Sequence, residues 1–422
     1  MLLFKVLLWA FAADWLPAVD ASDPDLHKNF TELVTSKGFV AEEHYVITED
    51  KYIIGVFRVR CRKHCCPQKV VYMSTPLWMD SDAFVADFAN NSLAFLLSDA
   101  GYDVWIGNIR GTKYSQARVG QPHPSSLDTD FYDYTFIDGG LYDIPAGINH
   151  TLRVTGQRRL FYIGHSQATA GFFALLSKQP QFADKVIAMA AMCPFRRLSC
   201  NIGQREQHGI LRGIAHNYKA LRSLLRILGE VPPSSSAVGI LCYYAPSLCD
   251  ALMHFGLGEV PNLNSSRLEV YMQFIPAPTS VKNLLFLGQM STRSCNGDHE
   301  VYDFDYDALN SGLGSVASML FGRETNLKRY GTPRPPKFSA EDIRLPVKLY
   351  YAADDGYATP DEVQRLSVEL PDYRGSWDMG PTYGHYDLIM PTYNSSHVLD
   401  AISFLDSFVD NDDNCGVPPK SY

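Results

Sequence analysis

Short apolar runs recur along the chain at Val70–Met73, Tyr102–Ile106, Leu160–Ile163, Val186–Met192 and Val347–Ala352, with a more alternating stretch at Arg374–Met379. Each is closed within three residues by Gly, Pro or Asp, so the pattern predicts short strands. Helical spacing appears between them. Thr169–Leu176 continues directly from one run, and His397–Val409 repeats apolar residues at Val398, Ala401, Ile402, Leu405 and Phe408. Strands alternating with helices predict an α/β class with a mostly parallel sheet covered by helices on both faces. The alternation lapses over 194–334, where Leu221–Leu228, a Pro232–Ser236 break and apolar stretches at Ile240–Tyr244 and Leu252–Leu257 predict an inserted cap or lid. The expected core is then 22–193 with 335–409, followed by a polar, flexible tail at 410–422.

Candidate chemistry lies at the ends of these strands. Gly164-His165-Ser166-Gln167-Ala168 follows the run Leu160–Ile163 and opens a helix. It departs by one methyl from G-x-S-x-G, in which small flanking residues let the chain turn sharply and lift a serine Oγ above the sheet. The N–H of the next residue, Gln167, then faces a developing oxyanion. A serine nucleophile needs a base and a carboxylate, which in an α/β-hydrolase fold follow in the order Ser, Asp/Glu, His. The strand ending at Ala352 breaks into Asp354-Asp355-Gly356, and Gly384-His385-Tyr386 follows the last predicted strand. Spacing alone leaves Asp354 and Asp355 both open as the acid. His165, facing away from Ser166, and Arg110 are read as structural.

Composition narrows the class. With 422 residues and 46% hydrophobic positions the chain can bury a large core, and a net charge of −9 argues against nucleic-acid binding. Residues 1–21 carry Lys5, an apolar stretch Val6–Ala13 and a small-residue cleavage site at Val19-Asp20-Ala21, so they predict a signal peptide and the secretory pathway. No later window has the length of a membrane-spanning helix. Asn29, Asn90, Asn149, Asn264 and Asn394 open Asn-x-Ser/Thr sequons. Nine cysteines suit an oxidising compartment, and the odd count leaves at least one unpaired or bonded to another chain. The cluster Cys61-Arg62-Lys63-His64-Cys65-Cys66 lacks a second ligand group at zinc spacing and is assigned to disulfides, with Cys295 or Cys415 as further partners. No cofactor or metal motif appears.

The chain resembles the animal acid lipases, the family of gastric triacylglycerol lipase and lysosomal acid lipase. The similarity runs through Glu42–Asp50, Asn90–Phe95, Ala100–Trp105, Gly107–Gly111, Tyr142–Ala146, the serine motif, Asp355–Val363 and the histidine loop. It implies an α/β-hydrolase fold, a Ser166, Asp355, His385 triad with Asp355 preferred over Asp354, and an oxyanion hole completed by Leu77. It also implies a short-loop disulfide at Cys242 and Cys249. The expected partners are a lipid ester substrate and a lipid–water interface, and the expected location is extracellular or lysosomal.

Three departures set up a competing expectation. The family's His-Gly-Leu-Leu is Thr75-Pro76-Leu77-Trp78 here, Ala168 replaces a glycine, and Asp138-Gly139-Gly140 replaces a longer polar, methionine-containing run. Proline has no N–H, but the implied donor is Leu77. Loss of one oxyanion donor would cost about 10² to 10³ in rate, so a secreted lipid-binding or storage homologue stands as the alternative to a secreted serine ester hydrolase acting on triacylglycerol or cholesteryl esters. A peptidase or thioesterase on the same scaffold is a third.

Overall fold

The computed structural model describes residues 23–199 apart from 64, 126 and 127, together with 230, 231, 262, 264–310, 324–390 and 395–409. The expected signal peptide, the tail, Asn394, Cys242, Cys249 and the lid stretches between 221 and 257 fall outside them.

Eight main strands form one sheet: β1 (Val40–Ile47), β2 (Tyr52–Arg60), β3 (Val70–Ser74), β4 (Asp103–Gly107), β5 (Leu160–His165), β6 (Val186–Met192), β7 (Val347–Tyr351) and β8 (Tyr373–Asp378). Their spatial order is β1-β2-β4-β3-β5-β6-β7-β8, and the two-residue strand Ala117–Arg118 pairs with β2. β1, β2 and β4 pair antiparallel, while every neighbour from β4 to β8 is parallel. All six strands expected from the apolar runs are present. The β1–β2 hairpin was not anticipated, because β1 carries Glu42-Glu43-His44 and leaves Val40, Tyr45 and Ile47 exposed, as an edge strand does.

The central strands are buried on both faces, as a parallel sheet requires. One cluster, including Val71, Met73, Ile106, Phe161 and Ile163, lies on one side. The other, including Tyr72, Trp105, Tyr162, Phe172 and Leu349, lies opposite. The helices α1 (Phe30–Ser36), α2 (Leu93–Asp99), α3 (Ile144–Thr155), α4 (Gln167–Lys178), α5 (Val281–Cys295), α6 (Pro360–Glu369) and α7 (Ser396–Asp406) accompany the sheet. A turn of helix at Phe136–Asp138 and a wider turn at Gly139–Asp143 lead into α3. This segment meets α4 so closely that a Cβ on Gly140 would lie 2.2 Å from the Gly171 carbonyl oxygen. Gly140 thus serves helix packing.

Below the sheet ends, Arg110 is 2% exposed and bonds Asp143 and Asp50 while lying 4.0 Å over the Tyr52 ring. It has the structural role expected of it. Cys61 and Cys65 form a disulfide, Cys66 and Cys295 are also disulfide-bonded, and Cys193 is free and buried. Asn29, Asn90 and Asn149 are exposed, whereas Asn264 is only 9% exposed and its Oδ1 accepts from the Ser266 N–H and hydroxyl. No described helix is long and apolar enough to cross a membrane.

Candidate active site

Ser166 stands between β5 and α4 with φ 55° and ψ −124°, a conformation that L-residues rarely adopt. The turn is held because the Ser166 N–H donates to Met192 O at 2.9 Å and its carbonyl accepts from the Thr169 N–H at 2.9 Å. The glycine that the sharp turn needs is Gly164, where a Cβ would meet Tyr162 Cε1 at 2.9 Å and Thr169 N at 3.2 Å. Ala168 is 1% exposed with an ordinary negative φ, and its carbonyl accepts from the Tyr162 hydroxyl at 3.1 Å. Ala168 thus needs no left-handed backbone, and its methyl lies buried in the turn.

β7 and β8 deliver the other two groups to the same end of the sheet. His385 Nε2 lies 2.7 Å from Ser166 Oγ, and His385 Nδ1 lies 2.7 Å from Asp355 Oδ2. Asp355, rather than its neighbour Asp354, bonds the imidazole. Its other oxygen accepts from the Tyr357 and Ala358 N–H groups at 2.8 and 3.0 Å. Burial by itself raises the Asp355 carboxyl, but the His385 charge, their hydrogen bond and the two backbone donors outweigh it and hold the group at about 2. A carboxylate held in its ionised form can keep the proton on Nδ1, which would leave Nε2 facing the Ser166 hydroxyl as an acceptor.

The His385 loop is pinned from three directions. Its carbonyl accepts from His165 Nε2–H at 2.8 Å and from the Cys193 thiol at 3.1 Å, and the Gly384 N–H donates to Asp387 Oδ2 at 2.7 Å. Burial and the nearby His385 charge push His165 down to about 3, so it stays neutral, in keeping with a structural role. Burial, with Asp355 beside it, pushes the Cys193 thiol up, so it stays protonated. Cys193, Asp355 and His385 are the one His/Cys/Asp/Glu group among the described residues close enough to share a metal ion, and that group is this site.

Leu77, Ser166, Gln167, Phe195, Leu198, Leu287, Tyr357, His385 and Tyr386 line a cleft of about 310 Å³, counting its open side. Most of these walls are apolar. Among the described residues no backbone carbonyl accepts from the Leu77 or Gln167 N–H, and both residues line the cleft with Ser166. Leu77 precedes Trp78, whose φ is 61°. Trp78, Ser166 and Cys193 (φ 46°) are all non-glycine residues with positive φ; Ser166 lines the cleft, Cys193 bonds the His385 carbonyl and Trp78 follows Leu77. Such strain persists only where surrounding contacts over-determine it. No sequence rule singled out Trp78 or Cys193, since propensity argues against that backbone for both.

Two family descriptions match the chain, a partial alpha/beta-hydrolase lipase region over residues 30–88 and the alpha/beta hydrolase fold over residues 80–208. Mouse lipase member K is 28% identical over 87% of this chain and 88% of its own length, and mouse gastric triacylglycerol lipase is 29% identical over the same shares. Human lipase member N is 28% identical over 90% of each. The chain is similar over most of its length to animal acid lipases. It has the α/β-hydrolase fold and is a carboxylic ester hydrolase.

Proposed function

We propose that this protein hydrolyses neutral lipid esters, triacylglycerols or cholesteryl esters, at a lipid–water interface, with Ser166, His385 and Asp355 as its catalytic triad. The observation that carries the reading is the unbroken hydrogen-bond chain from Asp355 through His385 to Ser166 at the floor of an apolar cleft. His385 Nε2 takes the Ser166 proton as Oγ attacks the ester carbonyl. The Leu77 and Gln167 N–H groups receive the oxyanion, and the imidazolium, stabilised by Asp355, returns its proton to the departing alcohol. Water, activated by the same histidine, then attacks the acyl-serine, so that Ser166 regains its proton and the fatty acid leaves. Every proton moved is held by this chain, by substrate or by water.

The apolar side chains Phe195, Leu198 and Leu287 suit an acyl chain, and an insertion over 194–334 would supply the remainder of the wall. Residues 1–21 as a signal peptide and the Cys61–Cys65 disulfide support a secreted or lysosomal location, because such bonds persist in oxidising compartments. Asn29, Asn90 and Asn149 are the sequons whose exposure suits a glycan.

The test is labelling by a fluorophosphonate probe between pH 4 and 8, with turnover of triolein and cholesteryl oleate emulsions, in wild type and Ser166→Ala. Labelling and turnover confined to wild type are expected. Turnover surviving in Ser166→Ala would overturn the mechanism, and a folded wild type that is neither labelled nor active would favour the lipid-binding reading.

A further inference from the structure

One segment outside the strand ends bonds both Gln167 and the residue that follows Leu77. Asn283, in the first turn of α5, is 1% exposed. Its Oδ1 accepts from the Phe136 N–H at 2.8 Å, and its Nδ2 donates to Gln167 Oε1 at 3.0 Å and to Thr279 Oγ1 at 3.2 Å. Only an amide oxygen can accept from Phe136, so the orientation of the Asn283 amide is determined, and Gln167 must in turn present its oxygen. The Asn283 N–H donates to the Ser280 side chain at 2.9 Å, and the Ser280 hydroxyl donates to Tyr134 O at 2.5 Å, which seats the start of α5. Six residues earlier, the Ala277 N–H donates to Trp78 O at 2.6 Å. One turn beyond Asn283, Leu287 lines the cleft.

The two residues held in this way are Gln167, and Trp78 directly after Leu77. Gln167 is the first residue of α4, where a helix leaves its N–H without an internal partner, and that N–H owes its direction to the peptide plane next to the strained Ser166. A buried side-chain bond from Gln167 to another element fixes its Cα independently of α4. We infer that Asn283 is a positioning residue for the reaction proposed above, and that the segment 277–287 braces both oxyanion donors from one side. The inference rests on the proposed serine mechanism. It makes α5 part of the catalytic geometry as well as a wall for the acyl group, so a movement of α5 would alter rate and fit together.

Hydrolysis of 4-nitrophenyl butyrate tests it, with melting temperature recorded for each variant. Asn283→Ala is expected to lower kcat by about 10- to 100-fold, the cost of a slightly misplaced catalytic group, with KM changed by less than about threefold, as for an interaction made mainly in the transition state. Gln167→Leu breaks the same bond from the other side. It keeps its own backbone N–H and the Asn283 bonds to Phe136 and Thr279, so it carries the test if Asn283→Ala does not fold, and it is expected to lose a similar factor. In the double variant the losses should not multiply, because one bond is removed twice. Wild-type kcat in Gln167→Leu or Asn283→Ala, or fully multiplicative losses, would overturn the inference while Ser166→Ala remains inactive. Activity surviving in Ser166→Ala would overturn the serine mechanism and this inference with it.

Discussion

The contact between Gly140 and Gly171 makes a prediction whose sign is informative. Gly140 has a helical, negative φ, so an alanine there would ordinarily stabilise the segment by about 0.5 to 1 kcal/mol. Its Cβ, however, would lie 2.2 Å from Gly171 O, 2.6 Å from Gly171 C and 2.7 Å from Gly171 Cα. All three are backbone atoms of α4, which cannot turn aside as a side chain can. Restoring a tolerable contact of 3.0 Å requires the 139–143 turn and α4 to separate by about 0.8 Å, an overpacking that costs about 1 to 3 kcal/mol. Because α4 begins immediately after Ser166, while His385 lies on a separate loop, this displacement falls on the 2.7 Å bond between them. A misplacement near 1 Å costs about 10² in rate.

Gly140→Ala is therefore expected to lower kcat for 4-nitrophenyl butyrate by about 10²-fold and slow fluorophosphonate labelling in parallel. At about 2.1 cal/mol/K per residue, its melting temperature falls by about 1 to 4 °C. Gly171→Ala is the control. Its Cβ would meet Phe136 O at 3.2 Å and Gly140 Cα at 3.3 Å, so adjustments of a few tenths of an ångström suffice and its effects should be clearly smaller. Wild-type kcat with unchanged or raised stability in Gly140→Ala would refute the argument, as would a larger loss in Gly171→Ala.

Asp387 is 1% exposed and burial raises its carboxyl to about 6. A folded value above the unfolded one of about 3.9 means that stability present below about pH 4 is lost as pH rises through 6, by up to about 3 kcal/mol. The melting temperature of wild type should thus fall by about 3 to 4 °C between pH 4 and 7 relative to Asp387→Asn, which keeps an acceptor for the Gly384 N–H; parallel profiles would contradict this. Asp355→Asn should lower kcat by about 10⁴-fold with little change in KM, because the imidazole loses the partner that fixes its Nδ1 proton; a loss under tenfold would exclude that role. Arg110→Ala strands Asp143, which is 1% exposed, and should cost about 3 to 5 kcal/mol in urea unfolding. A change below 1 kcal/mol would mean that the pair is not structural.

What could be read from the sequence divides along physical lines. β3 to β8 were legible because a buried parallel strand is a continuous apolar run closed by a breaker, and Ser166, the Asp354-Asp355 pair and His385 stood out as candidates because each follows such a run in the required order. β1 was not, since an edge strand satisfies only one face and can carry Glu42 and Glu43. The choice between Asp354 and Asp355 turned on which side chain the strand end aims at His385, a property that spacing does not encode. Asn283 gave no signal at all. It is an ordinary polar position in an amphipathic helix, and its partner Gln167 lies 116 residues away. Gly139-Gly140 looked like a departure from the family, and the meaning of Gly140 appeared only when α4 was placed against it.

Thr75–Trp78 carries the same lesson into function, because proline there suggested a damaged oxyanion loop. Pro76 fixes φ near −65° and contributes no N–H, so the left-handed position falls instead on Trp78 at 61°. Holding a bulky residue there costs about 1 to 2 kcal/mol, and the compensating contacts are evident: Trp78 is 4% exposed, and its carbonyl accepts from Ala277. Upstream, the Thr75 N–H donates to Gly107 O at 3.2 Å and its hydroxyl accepts from the Ile109 N–H at 3.1 Å. A turn anchored at both ends, with φ fixed between them, leaves the Leu77 N–H available and gives it little freedom to wander. Glycine at position 76 would add chain entropy without adding a donor. Pro76→Gly should therefore lower stability by about 0.5 to 1 kcal/mol and leave kcat within about twofold, whereas a tenfold gain in kcat would mean that proline had disarmed the site.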